Sequence, residues 1–219
     1  MFTTADTLDK IKKLKYGDVS KSKIKGYVQD MKNSPFKYFD ISSYLKKYFP
    51  PNWSVKTHQE IKNLSLLPAS ADYVKKYDKI GDAFKKVFIM HDLSYPTQLV
   101  KQLLKHSVPV IRVLKYTFNR PRPRQLAQYY DINLGDIVNL NSMKTPSYPS
   151  GHSAQGYLVA HVLADKYPQI KNDLLEVAAH ISKSRNIARA HYLSDSQFGK
   201  QLGVSLYKFL KREENNVNE

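Results

Sequence analysis

The chain has 219 residues, 42% of them hydrophobic, which is enough for one domain with a sizeable core and too little for two comfortable ones. Its formal charge of +16, from 35 Lys+Arg against 19 Asp+Glu, favours anionic partners such as phosphate esters, nucleic acid or an acidic membrane surface, without choosing among them. The absence of cysteine excludes disulfide scaffolds, thiolate metal sites and cysteine nucleophiles, so histidine is left to carry any nucleophile of that softness.

Met1 to Lys15 holds no apolar stretch of signal-peptide length, because Asp6, Asp9, Lys10, Lys12 and Lys13 interrupt it. No window approaches the ~18 uninterrupted apolar residues of a membrane span. The expectation is a soluble or peripheral chain located in the cytoplasm, an exported mature form being the alternative. Thr4 to Tyr16 reads as a short capped helix with Leu8, Ile11 and Leu14 on one face. From Gly17 to Pro51 the pattern is poor: Lys21, Lys23 and Lys25 alternate with small residues, and Asn33-Ser34-Pro35 and Pro50-Pro51 punctuate like loops. One short helix is expected there, near Ile41 to Tyr48. Residues 1–55 are therefore read as a basic N-terminal extension, its lysines forming either a solvated face or a contact for a polyanion. Residues 56–212 form the main domain and 213–219 a polar tail; the tail from Arg212 onward is expected to fray.

The core begins with an apolar periodic segment from His58 to Leu67, closed by Pro68. Ala69-Ser70-Ala71-Asp72 opens another helix that continues through Phe84 to His91, and Ser94-Tyr95-Pro96 breaks it. Thr97 to Phe118 is a long helix buried on much of its circumference, which Pro109 should kink. Further helices are expected after Gly151, after Pro168 and after Asp195, with Ser194 or Asp195 capping the last. Strand signals are scarce throughout, so the fold class is all-α.

Three stretches carry chemistry. In the first, prolines on both sides of Arg122 in Asn119-Arg120-Pro121-Arg122-Pro123 aim its guanidinium in advance, shortly after Lys115. Six of the seven arginines (Arg112, Arg120, Arg122, Arg124, Arg185 and Arg189) sit in or beside this stretch and the third, where a bidentate donor would meet a phosphate-like oxyanion. Helix-end capping or pairing with acids accounts equally well for Arg112, Arg120 and Arg124. The second stretch, Ser147-Tyr148-Pro149-Ser150-Gly151-His152-Ser153, opens a helix whose first turn offers free N–H groups and the positive end of the macrodipole to an anion. Gly151 puts no Cβ in the way, while Ser150 adds a hydroxyl donor and His152 an imidazole; alone, such a segment is ordinarily a plain N-cap. The third, Ser184-Arg185 through His191 to Asp195, reads as a helical run in which His191 and Asp195, four residues apart, share a face. The carboxylate can then hold one ring nitrogen and leave the other basic.

Lys115, six residues, Arg122-Pro123; Pro149-Ser150-Gly151-His152; and Ser184-Arg185, five residues, His191, three residues, Asp195: in order and internal spacing these resemble the tripartite signature of the type 2 phosphatidic acid phosphatase superfamily. That superfamily includes class A acid phosphatases, membrane-spanning lipid phosphatases, glucose-6-phosphatase and vanadium haloperoxidases. The contexts around Ser150 and His191 are most similar to the soluble acid phosphatases. The resemblance implies a single-domain helical bundle of this type and a metal-independent phosphatase acting on phosphomonoesters or lipid phosphates. It implies that Lys115, Arg122, Ser150, Gly151 and Arg185 hold the phosphoryl oxygens, that His191 attacks phosphorus to give a phosphohistidine with Asp195 fixing its tautomer, and that His152 serves as acid and then base. It implies no cofactor, phosphate or vanadate being the anions that would occupy the site. A vanadium haloperoxidase, a peripheral lipid phosphatase at an anionic membrane, and a nucleic-acid-binding module resting on charge alone are the competing readings, the last without any recognition motif.

Overall fold

The computed structural model describes residues 4–135 and 138–217, and among them every regular element is helical and no strand occurs. The centre is α9 (Gly151–Lys166), buried on nearly all sides by Ala154, Leu158, Val159, Ala160 and Leu163. A helix apolar around its whole circumference must be enclosed by others. It is enclosed by α7 (Thr97–Phe118), α10 (Lys171–Ile187) and α11 (Leu193–Val217). Fully burying each leucine or valine of α9 contributes about 1.5–3 kcal/mol, so α9 is the element that fixes where its neighbours sit.

The α9–α11 joint is unusually close. A Cβ on Gly199 would stand 2.5 Å from the Ser150 carbonyl oxygen and 2.8 Å from the Ser153 Cβ, and one on Gly203 would collide with the Ala154 carbonyl oxygen. Only glycine lets the two backbones meet at those points.

Ahead of this bundle lie α4 (Val55–Leu66), α5 (Ala71–Asp78) and α6 (Ile80–Met90), the last two separated at Lys79, where the sequence suggested one continuous run. α7 has the expected limits and passes through Pro109. α8 (Pro123–Ala127) is a single turn, and short 3-10 turns connect it to α9.

The N-terminal segment holds α1 (Ala5–Lys13), α2 (Lys21–Lys32) and α3 (Ser42–Leu45). α1 and α3 answer to expected helices, whereas α2 lies where loop punctuation was read. It packs on α7, with Tyr27 stacked on Tyr116 at 5.7 Å between ring centroids. Met31, Phe36 and Phe39 enter the main core, and Ile11 joins a second cluster with Ile61, Leu126 and Tyr192. At the other end, α11 continues to Val217 rather than fraying from Arg212; Asn218 and Glu219 lie outside the described residues, as does Asp136 of the Asn133 to Asp136 connector.

Candidate active site

The last turn of α7 delivers Lys115, which is buried and donates through Nζ to the carbonyls of Pro146 at 2.6 Å and Ser147 at 3.4 Å. Burial, helped by nearby Arg122, pushes its ammonium well below the ordinary lysine range. α7 stops at Asn119, which takes the left-handed conformation (φ 48°) and ties its side-chain amide to the Gly17 carbonyl at 2.6 Å. Three residues on, Arg122 precedes Pro123 at the first position of α8, as proline's fixed φ favours. The Arg122 guanidinium is held by carbonyl oxygens of Thr145 (2.9 Å), Ser142 (2.9 Å) and Ala190 (2.7 Å). Burial lowers it to about 10, so it stays a cation at neutral pH.

The chain enters α9 through a cis Tyr148–Pro149 bond. Ser150 caps the helix: its Oγ accepts from the Ser153 N–H (3.3 Å) and hydroxyl (3.0 Å), leaving its own O–H to donate. Its backbone N–H donates to the Asp195 carbonyl at 3.0 Å, which couples this turn to α11. A Cβ on Gly151 would fall 3.7 Å from Lys115 Cε and narrow the space beside that lysine. His152 Nε2 lies 3.0 Å from the Asp78 carbonyl oxygen, which fixes its proton on Nε2, and 3.6 Å from the Asp78 carboxylate. Burial first, then Arg185, lower its ring to about 4.

The third stretch departs from expectation. α10 ends at Ile187, and Arg189 takes the left-handed conformation at φ 55°, so the chain reverses before α11 begins at Leu193. The Arg189 guanidinium clamps this turn by donating to the carbonyls of Leu134, Ile187 and Leu67. His191 is therefore not on a shared helix face with Asp195; it stands in the turn, and Asp195 reaches back from the first turn of α11. Nor does Ser194 or Asp195 cap that helix from outside. Both lie inside it, and the Asp195 carboxylate accepts the Tyr192 N–H at 3.1 Å, a favourable place for an anion.

His191 Nδ1 lies 3.1 Å from Asp195 Oδ2, and its Nε2 lies 3.0 Å from Arg122 NH1. Guanidinium can only donate, so Nε2 carries the lone pair and Nδ1 carries the proton given to Asp195. Burial and Arg122 hold the ring well below its ordinary range, hence neutral. Burial alone would raise the Asp195 carboxyl. The Arg120 guanidinium, His191 and Ser147 overcome it and hold the group well below the usual carboxylate range.

Arg120 is one of the three arginines for which an oxyanion donor and a structural role, capping or acid pairing, were equally open from sequence; here it is paired with acids. Fully buried, it donates to Asp195 Oδ1 at 2.6 Å and Ser194 Oγ at 2.8 Å, with Glu60 Oε2 at 3.5 Å, and it stacks 3.7 Å over the Tyr192 ring. Glu60, Ser147 and Asp78 were missed outright. Glu60 accepts the Ser194 N–H at 2.6 Å, Ser147 Oγ donates to Asp195 Oδ2 at 2.5 Å, and Asp78 binds Arg185 NH1 at 2.8 Å. Glu60 had a signal: with Thr57, Ile61 and Leu64 it completes the buried stripe of α4, where an acid needs a partner.

A cavity of about 160 Å³ is lined by Lys115, Gly151, His152 and His191, with Ile111 and Arg112 at its wall. Arg122, Arg185, Ser150 and Asp195 stand behind that lining. Arg185 is buried with NH2 unpartnered. Among the described residues no group of three or more His, Asp or Glu side chains could hold a metal ion, and the Asp195 oxygens are already occupied by Arg120, Ser147, His191 and Tyr192.

Fold and site together define an all-α protein in which Lys115, Arg122, Arg185 and the N-terminus of α9 gather around a neutral histidine backed by a carboxylate. The chain belongs to the PAP2 superfamily, whose sequence profile matches residues 101–217. It is 40% identical over 90 residues to the non-specific acid phosphatase of Salmonella typhimurium, covering 41% of this chain and 35% of that protein. It is 32% identical over 107 residues to an acid phosphatase of Zymomonas mobilis, covering 49% of this chain and 40% of that one. The matched segment thus spans well under half the length of these relatives. A transmembrane PAP2-type phosphatidylglycerolphosphate phosphatase from Bacillus subtilis aligns structurally over 90% of this chain and 89% of its own, at a TM-score of 0.40 and 17% identity. Among the described residues no helix is long and apolar enough to cross a membrane.

Proposed function

We propose that the chain hydrolyses phosphomonoesters through a phosphohistidine on His191, without a metal, the chemistry residing in residues 56–212 while 1–55 add core-packing side chains and a basic face. The observation that carries this reading is the tautomer of His191: its Nε2 lone pair points at the Arg122 guanidinium, where an anion would sit, while Asp195 holds the opposite nitrogen.

Phosphate oxygens take over donors now given to carbonyl oxygens and to His191, namely Arg122 and Lys115, together with the free NH2 of Arg185, the Ser150 hydroxyl and the Gly151 N–H. Nε2 of His191 then forms the bond to phosphorus as the ester P–O bond breaks in line, and His152 supplies the proton that the leaving oxygen needs. A bound dianion offsets Arg185 and Lys115, which raises the His152 ring from about 4 toward a useful acid. In the second half-reaction His152 takes a proton from water, whose oxygen attacks phosphorus; the P–N bond breaks and His191 and phosphate are released. The cavity is small beside the roughly 300–1,000 Å³ of drug-sized ligand pockets, so it admits the phosphoryl group and leaves the organic part of the substrate outside. That favours breadth among phosphomonoesters.

The test is a rapid quench into alkali with p-nitrophenyl phosphate, followed by peptide mass analysis. His152→Ala should accumulate phosphate on the peptide that carries His191, because nitrophenolate leaves without a proton while hydrolysis of the intermediate stalls. Phosphate on His152, or turnover intact in His191→Ala, would overturn the reading.

A further inference from the structure

We propose that the strap formed by residues 47–57 is a docking surface for a bilayer that contains anionic phospholipid. This goes beyond the phosphatase reading and does not depend on it.

The strap is fastened to the body at its start and its middle and is closed on itself toward its end. Tyr148 Oη donates to the Lys47 carbonyl (3.0 Å), Thr57 Oγ1 to the Pro51 carbonyl (2.8 Å), the Asn52 amide to the carbonyls of Ile11 (3.1 Å) and Leu14 (2.9 Å), and Tyr130 Oη to the Asn52 carbonyl (2.5 Å). From this fixed loop three large apolar side chains face water: Tyr48 at 79% exposure, Trp53 at 48% and Val55 at 84%. Val55 is the first residue of α4, directly after the Ser54 cap, and leaves its side chain in water. Behind Tyr48 runs an open groove of about 540 Å³ walled by Phe49, Tyr148 and Phe198, with Lys47 and Lys56 among its lining residues. The chain from Ile41 to Gln59 contains Lys46, Lys47 and Lys56 and no carboxylate, and Lys12 lies 5.9 Å over the Trp53 ring.

Protruding aromatic and branched side chains ringed by lysines match the boundary layer of an anionic bilayer, where rings sit at headgroup depth and ammonium groups meet phosphates. A lysine at such a surface strengthens partitioning about five-fold. A protein partner would instead call for a packed central pocket with a polar rim; here the apolar groups project outward from the strap, a shape suited to a fluid medium, and the groove behind can take an acyl chain.

Trp53 is the single tryptophan, so its emission reports this surface alone. The full chain is titrated with vesicles of phosphatidylcholine, and with vesicles in which phosphatidylglycerol replaces one lipid in three. The expected result is a blue shift and quenching by bromine-labelled acyl chains with the anionic vesicles only. Binding should fall about ten-fold in Tyr48→Ser/Val55→Ser, and at least as far in Lys47→Glu/Lys56→Glu. Circular dichroism and thermal melting establish that both variants fold, so this result is read whether or not the protein hydrolyses phosphomonoesters. No shift in the wild type, equal binding by the variants, or bromolipid silence with equal capture by single-stranded DNA would overturn the proposal.

Discussion

Replacing Arg120 by methionine removes the cation from between two buried carboxylates while keeping an unbranched chain of similar reach. Arg120 is fully buried, Asp195 equally so, and Glu60 nearly so. Taking one partner out of such a pair costs about 3–5 kcal/mol, because the other charge is left uncompensated in a poor solvent. Against a typical domain stability of about 5–15 kcal/mol, this is a large fraction. Urea unfolding followed by Trp53 emission measures it. The pH dependence is as informative as the magnitude. In the wild type the Asp195 carboxyl is held below its unfolded value of about 3.9, so its stabilisation is present above that pH and is lost as pH falls through the depressed value. In Arg120→Met burial dominates and lifts the carboxyl, so protonation relieves the buried charge and the gap to wild type should narrow from about pH 7 toward about pH 5. Adding Asp195→Asn to the variant should recover at least about 1 kcal/mol. A loss below about 1 kcal/mol, or a gap independent of pH, would refute the reasoning.

Exhaustive chelation should leave turnover of an aryl phosphate unchanged, since the Asp195 oxygens are already occupied and no metal-binding group appears among the described residues; activity abolished by EDTA and restored by zinc or magnesium would contradict this. Asp195→Asn should retain phosphate or vanadate affinity and lose kcat, by about four orders of magnitude if the comparable change in the serine-protease triad is a guide, as measured by steady-state kinetics beside isothermal titration. Gly203→Ala should destabilise by more than the 1–3 kcal/mol or so of ordinary overpacking, because its Cβ meets backbone rather than a movable side chain; a melting temperature within experimental scatter of wild type would show that the joint yields.

Legibility from sequence followed the strength of the local physics. α7 could be read to its ends because its apolar positions repeat at helical spacing and Pro96 and Asn119 bound it. The three motif stretches could be read because each contains residue types that are costly to place without a use. α2 could not: Ile24, Tyr27, Val28 and Met31 do lie at helical spacing, but lysines and Gly26 dilute the signal, and the face is explained by groups far along the chain, Tyr116 beside Tyr27 and the main core around Met31. The His191 turn was concealed for another reason. Nothing in Arg189 announces a left-handed backbone; that conformation is held by the carbonyls of Leu67 and Leu134, which come from elsewhere in the chain. Glu60 and Asp78 were hidden likewise, since their partners Ser194 and Arg185 lie far along the sequence.

The glycine seam between α9 and α11 divides the molecule into parts with different mutational freedom. Ser150 and Asp195 are borne by helices whose backbones touch, so any drift of one carries the other with it, and the two roles proposed for them, nucleophile support and anion cradle, are inherited as a unit. The opposite wall, Val108, Ile111 and Arg112 of α7, lines the cavity away from this seam. A lineage, or an engineer, seeking a new leaving group can exchange those positions one at a time while the seam preserves the chemistry behind them.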